Sequence, residues 1–392
     1  MRICMLSTTY RPRVGGMETH VATLAEALVR DGHKVTIFTN RDSISQPEEA
    51  DENGVRIVRA SALLEGRSDP DVVQWEASMF GLLGDVERWI VADDFDVVHA
   101  HAQASLLLAT LSGLSVRLPV VVSPHETQPE TDPCGLYRSQ FVYSAGTADL
   151  VLVGSRRFAE QMGTFGVPAD RVRIVHHGLP AAPQIMSRTT ARGLLHEQVG
   201  IDTDRVLITL VGRFKERKGQ LRLLDAIDAM VTRSRCTFVL AGSCSSADRD
   251  YLGTIRRRVA AMADVTDVMV LEDVSEQVRD LLWAASDVAT QPSTHEGLGL
   301  AAVEAMRACV PVVASDIDGL REVVADGAGT LVDTAVSTAY ATALDRLVDD
   351  PDLRSRIGKA SAVRADQLFS VDRLTVDTVT AYQEAIKLRE AR

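Results

Sequence analysis

Gln291-Pro292-Ser293-Thr294-His295-Glu296-Gly297-Leu298-Gly299-Leu300-Ala301-Ala302-Val303-Glu304-Ala305-Met306, followed by Val310-Pro311-Val312-Val313-Ala314, is the stretch on which the fold is read. Val288-Ala289-Thr290 before it is an apolar, strand-like run, Pro292 to Thr294 make a turn, and good helix formers take over from Leu298. Strand, turn, helix and the apolar run at Val310 form one βα unit of a parallel sheet. Gly297 and Gly299 allow close backbone approach to a ligand, because no Cβ stands in the way. Gly297 to Leu300 then sit at a helix N-terminus, whose unpaired amides and dipole favour an anion. Glu296 precedes that helix, and Glu304 lies about two turns along it. A carboxylate works against a phosphate beside it, so the two Glu residues suit the hydroxyls of a ribose and a sugar. Taken singly, each reads equally well as a cap or a solvated helix position.

Working outward, the same alternation recurs on both sides. Ile3 to Ser7, Lys34 to Thr39, Val55 to Arg59, Val97 to Ala100, Val120 to Ser123 and Leu150 to Gly154 read as strands, with a helix from about Met17 to Asp31. Unbroken apolar runs such as Val120-Val121-Val122 belong to strands covered on both faces. Arg41 to Asn53, polar and acidic, reads as a surface loop. The pattern restarts at Val206 to Leu210 and continues through Thr237 to Ala241, Val268 to Leu271, Val288 to Thr290, Val310 to Ala314 and Thr330 to Val332. The expected fold is therefore α/β, with two Rossmann-like domains whose parallel sheets face a cleft. The expected boundaries are residues 1–182 for the first domain and 183–370 for the second. The last helix, about residues 371–392, crosses back to the first domain. Trp75, Trp89 and Trp283 have apolar neighbours at helical spacing and read as core.

A chain of 392 residues with a formal charge of −12 is expected to make two domains. That charge argues against nucleic acid or an anionic membrane surface as the main partner. The five cysteines have no metal-type spacing and read as reduced thiols of a cytoplasmic protein. Arg2-Ile3-Cys4-Met5-Leu6 already reads as a buried strand, so no signal peptide is expected, and no apolar run is long enough to span a membrane. No strong membrane association is expected, and the chain is expected to be a monomer or homodimer.

Ligands of such sheets lie at the carboxyl ends of the strands. Three stretches fall there besides the first. Gly212-Arg213 through Lys218-Gly219 follows a strand, and Arg213 and Lys218 offer a fork donor and a point charge to a diphosphate. Gly15-Gly16-Met17-Glu18 opens the first helix and fits an anion or sugar contact as well as a plain turn; it lacks the spacing of a dinucleotide fingerprint. Pro124-His125-Glu126 ends a buried strand, which favours a site role for His125. His99 and His101 divide evenly between site and core, and His176-His177 read as positional. Arg256-Arg257-Arg258 reads as a solvated face. No His/Cys/Asp set has metal spacing, so no metal is expected.

Taken together, these residues resemble family 4 retaining glycosyltransferases, which have the B-type fold of two Rossmann-like domains. Glu296 to Glu304 matches that family's Glu-x7-Glu motif, Gly212-Arg213 through Lys218-Gly219 its diphosphate pair, and Gly15-Gly16 its first loop. Cys309 departs from it, standing where the family has glycine before Val-Pro-Val. The resemblance implies a retaining, metal-independent hexosyltransferase that uses a nucleotide diphosphate sugar as substrate and no separate cofactor. UDP is the expected nucleotide from family frequency. It implies catalytic roles for His125, Arg213, Lys218 and Glu296. Donor binding would fall to Gly15, Gly16, Arg213, Lys218, Glu296, Gly297, Leu298, Gly299, Leu300 and Glu304.

The acceptor is expected to be a small soluble hydroxyl compound. Asp69, Asp71, Glu76, Asp85, Glu87, Asp93, Asp94 and Asp96 make the first domain acidic, and Glu126, Glu130 and Asp132 follow His125. Carboxylates there attract a cationic acceptor, so an aminocyclitol of an aminoglycoside-type antibiotic pathway is the first expectation, held by His125, Glu126 and Asp132. An inositol-type or other polyol is the alternative. Two readings from other classes are a nucleotide-sugar 2-epimerase, which forms product from donor alone, and a nucleotide-sugar-binding protein without turnover.

Overall fold

The structure, a computed structural model, describes residues 1–13, 16–63, 74–90, 94–125, 135, 138–139, 142, 146–179, 186–201 and 204–391. Gly15, Glu126, Glu130, Asp132, Asp69, Asp71, Asp93 and Cys134 lie outside them, as do residues 180–185 around the expected domain boundary. The chain divides into two compact units, Met1–Pro180 with Ser370–Arg392, and Ala181–Phe369.

Among the described residues the first unit holds eight strands: β1 (Arg2–Ser7), β2 (Lys34–Arg41), β3 (Glu49–Glu52), β4 (Val55–Leu63), β5 (Val97–His101), β6 (Val120–Ser123), β7 (Leu150–Val153) and β8 (Val172–Ile174). Their order is β3-β4-β2-β1-β5-β6-β7-β8. All pairs are parallel except β3 with β4. The alternation of β1 shows how the sheet is buried. Ile3 and Met5 join the apolar cluster that includes Leu24 and Leu28 of the helix Gly16–Arg30, whereas Cys4 and Leu6 join the cluster containing Met79, Leu82 and Leu106. The last helix, Val371–Glu390, belongs to the first of these clusters through Leu374, Ala381 and Tyr382. Leu179 bridges to Ser370 at its start, and Arg173 pairs with Glu384 further along.

The expected surface loop at Arg41 to Asn53 is instead partly a strand. β3 turns into β4 through Asn53 and Gly54, at φ of 56° and 81°. Both positions must be left-handed in a two-residue hairpin loop of this kind, which Asn-Gly tolerates best.

The second unit holds β9 (Val206–Val211), β10 (Cys236–Gly242), β11 (Asp267–Glu272), β12 (Val288–Gln291), β13 (Val312–Ser315) and β14 (Thr330–Val332). They are parallel throughout, in the order β11-β10-β9-β12-β13-β14. The chain therefore reverses its winding between β9 and β12, and the crevice outside the carboxyl ends at such a point is where open α/β sheets bind ligands. Asp287 braces this region from below: it accepts from the Leu207 amide at 2.9 Å and pairs with Arg192 at 2.5 Å. No helix among the described residues is long and apolar enough to cross a membrane.

Cys309 adopts φ of 58° with its side chain exposed, and its carbonyl lies so close to Gly358 that a Cβ there would overlap it. The left-handed backbone costs a non-glycine residue about 1 kcal/mol or more. Cys309→Gly is expected to raise stability by about 1 kcal/mol, read as a higher unfolding midpoint in denaturant. A lowered midpoint would contradict the strain assigned to this position.

Candidate functional site

In the second unit, two loops meet because glycines let them. Gly219, at φ of 72°, leaves no room for a Cβ beside the carbonyl of Pro292, and a Cβ on Gly242 would overlap the carbonyl of Gly212. The loop after β9 is thereby pressed against the loop after β12. Thr294 donates its amide to Arg217 O at 2.8 Å, and Arg217 donates Nη1 to His295 O at 3.1 Å. Gln220, fully buried, donates to the carbonyl of Arg213 at 2.9 Å and fixes the turn that carries it.

At this junction Lys218 Nζ donates to Glu296 Oε1 at 2.5 Å. The same oxygen accepts from Ser293 Oγ at 2.7 Å and Gln291 Nε2 at 3.0 Å, while Arg217 stands 3.8 Å from Oε2. Glu296 is 7% exposed. Burial pushes its pKa up, but Lys218, Ser293 and Arg217 outweigh that and hold it below the usual carboxylate range. Lys218 is pulled the other way: burial lowers its pKa, Glu296 opposes this, and the charges of Arg217 and Arg213 add to the lowering. Arg213 itself is exposed, and its guanidinium meets no acceptor among the described residues. The sequence reading offered Lys218 freely to an anion, whereas here its ammonium is already matched by a carboxylate.

Gly299, at φ of 82°, is the N-cap of the helix Leu300–Arg307, and no side chain caps that end. Gly297 to Leu300 therefore occupy the position expected of them. Glu304 lies on this helix and accepts from Trp283 Nε1 at 3.0 Å on Oε2, with Arg279 Nε 3.7 Å away. Its Oε1 has no partner among the described residues. Burial raises its pKa against the opposing pull of Arg279 and Trp283. Trp283 is core, as its apolar neighbours implied, but its indole also orients a site carboxylate. Nothing in the local sequence signals that second role.

In the first unit, histidines gather. His99 and His101 alternate along β5, so both point to one face, and His125 follows β6. His20 comes from the helix Gly16–Arg30 and His177 from beyond β8. His101 Nδ1 lies 3.0 Å from His125 Nε2. The His20 ring is 5.0 Å from that of His125 and 4.4 Å from that of His177. His99 lies 2.7 Å from the Tyr382 hydroxyl and 2.8 Å from that of Ser123. Gly154 makes room for His177, whose ring would otherwise meet its Cβ. Burial, reinforced by neighbouring imidazoles, pushes His20, His101 and His125 well down from the ordinary value. His99 and His101, read evenly between site and core, are both buried, and His101 also contacts His125. Of the acidic run, Asp94 pairs with Arg2, Asp96 accepts from the Arg2 amide, and Asp85 is buried. Gly16 is the exposed first residue of its helix. Arg256 pairs with Glu272, and Arg258 with Asp225 and Asp228, as a solvated face would.

Two family models match the chain, Glycosyltransferase Family 4 over residues 14–182 and Glycosyl transferases group 1 over residues 192–364. D-inositol 3-phosphate glycosyltransferase from Xylanimonas cellulosilytica is 31% identical, covering 100% of this chain and 98% of its own. Alpha-maltose-1-phosphate synthase from Mycobacterium tuberculosis is 28% identical, covering 98% and 99%. Among solved structures, sucrose-phosphate synthase from Thermosynechococcus elongatus has a TM-score of 0.80 at 21% identity, covering 98% of each chain. Anabaena HepE in complex with UDP and glucose has a TM-score of 0.77 at 20% identity, covering 98% and 100%.

Two outcomes follow from this geometry. In a double-mutant cycle without ligand, Lys218→Met and Glu296→Gln should show a coupling of about 3 kcal/mol, because each alone strands a buried charge or donor; additive effects would contradict the pairing. Burial holds His99 and His177 down to about 3 and about 4. The unfolded chain binds those protons near pH 6.5 and the folded unit only far lower. Stability should thus be complete above pH 6.5 and decline as pH falls toward 4, by up to about 1.4 kcal/mol per pH unit for each histidine. Denaturant midpoints at pH 7 and pH 5 check this, and equal stability would contradict it.

Proposed function

The chain belongs to glycosyltransferase family 4, and from that premise we propose that it transfers a hexose or N-acetylhexosamine, with retention, from a nucleotide diphosphate sugar to a small soluble polyol. The observation that carries the reading is the cluster outside β9 and β12. It brings Arg213, Lys218 and an uncapped helix end into one neighbourhood with two differently tuned carboxylates. In this reading the departing diphosphate takes the cationic contacts of Arg213 and Lys218 and the amides of Gly297 to Leu300. Glu304, with Oε1 unmatched and Trp283 fixing Oε2, accepts from the ribose hydroxyls.

The Lys218–Glu296 pair gains a specific task. A diphosphate competes with Glu296 for the ammonium, and as negative charge grows on the leaving oxygen, Lys218 and Arg213 bind it more strongly. Interactions that strengthen on the way to the transition state lower the barrier. Glu296, freed in part, accepts from the sugar hydroxyls. The bond from the anomeric carbon to the phosphate oxygen breaks and that to the acceptor oxygen forms on the same face. The acceptor proton passes to the departing phosphate. His125, also assigned to the sugar, is neutral at pH 7 and acts as a hydrogen-bonding group. UDP is the first choice of nucleotide.

For the acceptor, the names of the inositol phosphate glycosyltransferase relatives support an inositol-type polyol. The aminocyclitol expectation loses Asp94 and Asp96 to Arg2 and Asp85 to the interior, and its remaining residues, Glu126 and Asp132, lie outside the described ones. A nucleotide-release screen of donors, with an inositol phosphate, a neutral polyol and an aminocyclitol in competition, tests the reading. Release that depends on an inositol-type acceptor is expected, and product from donor alone would favour the epimerase instead. Arg213→Ala should lose at least ~100-fold in kcat/KM, since a charged contact to a departing phosphate contributes about 3 kcal/mol; near-wild-type turnover would remove it from the leaving-group role.

A further inference from the structure

The histidines of the first unit are incompletely matched. His99 has a partner at each nitrogen, and His101 Nδ1 faces His125 Nε2. His101 Nε2 and His20 Nδ1, however, are buried with no partner among the described residues, and the residues themselves are 0% and 8% exposed. A buried nitrogen left so is unfavourable, because it has given up its water without gaining a partner. His20 lines a small pocket with His99, Ser123, His125 and His177, whose Nδ1 is likewise unpartnered among the described residues, and His101 stacks on His125 with ring centroids 5.3 Å apart.

One ring nitrogen from each of His20, His101 and His125 can be chosen so that all three lie within 4.8 Å of one another. An ion bound tetrahedrally at about 2.0–2.1 Å spaces its nitrogen ligands roughly 3.3 Å apart, within reach of side-chain rotation. We propose that His20, His101 and His125 form a binding site for a single divalent ion of the imidazole-preferring class, Zn²⁺ foremost, with a fourth position open to water. Imidazole nitrogens and no carboxylate favour Zn²⁺ over Mg²⁺ or Ca²⁺. Because these rings are neutral at pH 7, the ion displaces no side-chain proton on entry. The three ligands come from a helix, a strand and a loop far apart in the chain, which is why no spacing motif announces them.

The site stands on geometry alone, but it shares His125 with the sugar contact proposed above, so an ion held there should compete with donor turnover. The test strips the full chain with a chelator and titrates it with Co²⁺ as a spectroscopic probe. A visible absorption saturating at one equivalent and displaced by one equivalent of Zn²⁺ is expected. Affinity should fall by at least about ten-fold in His20→Gln and in His101→Gln, and remain unchanged in His196→Gln of the second unit. No saturable band, or an unchanged titration in both variants, would overturn the site. Should either variant unfold, imidazole ¹⁵N shifts of the wild type on adding Zn²⁺ identify the ligands directly, and unmoved His20 and His101 signals would overturn it equally. Zn²⁺ that binds at one equivalent yet leaves turnover unchanged would uphold the ion site and remove His125 from the sugar contact instead.

Discussion

The ion pair between Lys218 and Glu296 is the contact on which the second unit's site depends. It joins the two loops on either side of the point where the sheet reverses its winding. Opposite charges taken partly out of water are favourable only when geometry is good and the remaining lone pairs are satisfied. Ser293 and Gln291 supply that satisfaction. The loops reach this distance because Gly219 and Gly319 present no Cβ to the carbonyls of Pro292 and Glu296. The glycines thus set the separation of the charges, and the charges set the chemistry.

The two units treat their polar groups in opposite ways. The second holds Glu296 ionised beside Lys218, Arg217 and Arg213, and pushes Glu304 toward its neutral form by burial. Carboxylates with divergent environments suit divergent tasks. The first unit buries His20, His99 and His101, half-buries His125 and His177, and keeps these imidazoles uncharged, so its polar groups there donate and accept without carrying a charge. A neutral hydroxyl compound, or an ion that binds neutral nitrogen, is what such a surface suits.

Much of the fold was legible because parallel strands buried on both faces write themselves as unbroken apolar runs. β6 and β14 fall on the residues read for them, and the last helix, read over about 371–392, spans Val371–Glu390. The edges were not legible. β8 has no apolar run, being three half-exposed residues, and β3 is acidic; its signal was the Asn53–Gly54 turn, which the reading passed over. In the site, Glu296, Gly297 to Leu300 and Glu304 stand on one local motif and could be read together. The pairing of Lys218 with Glu296, the indole of Trp283 on Glu304 and the place of His20 beside His125 are long-range contacts. No local period encodes them, so they appear only once the chain is folded.

The central claim is that Arg213 and Lys218 exist to hold the outer phosphate of a nucleoside diphosphate. Calorimetric affinities of UDP and UMP, measured on the wild type and on Arg213→Ala, address it without turnover. The account predicts that UDP binds at least about ten-fold tighter than UMP, an advantage of about 1.4 kcal/mol, and that Arg213→Ala abolishes most of it. Equal affinity of the two nucleotides for the wild type would contradict the account.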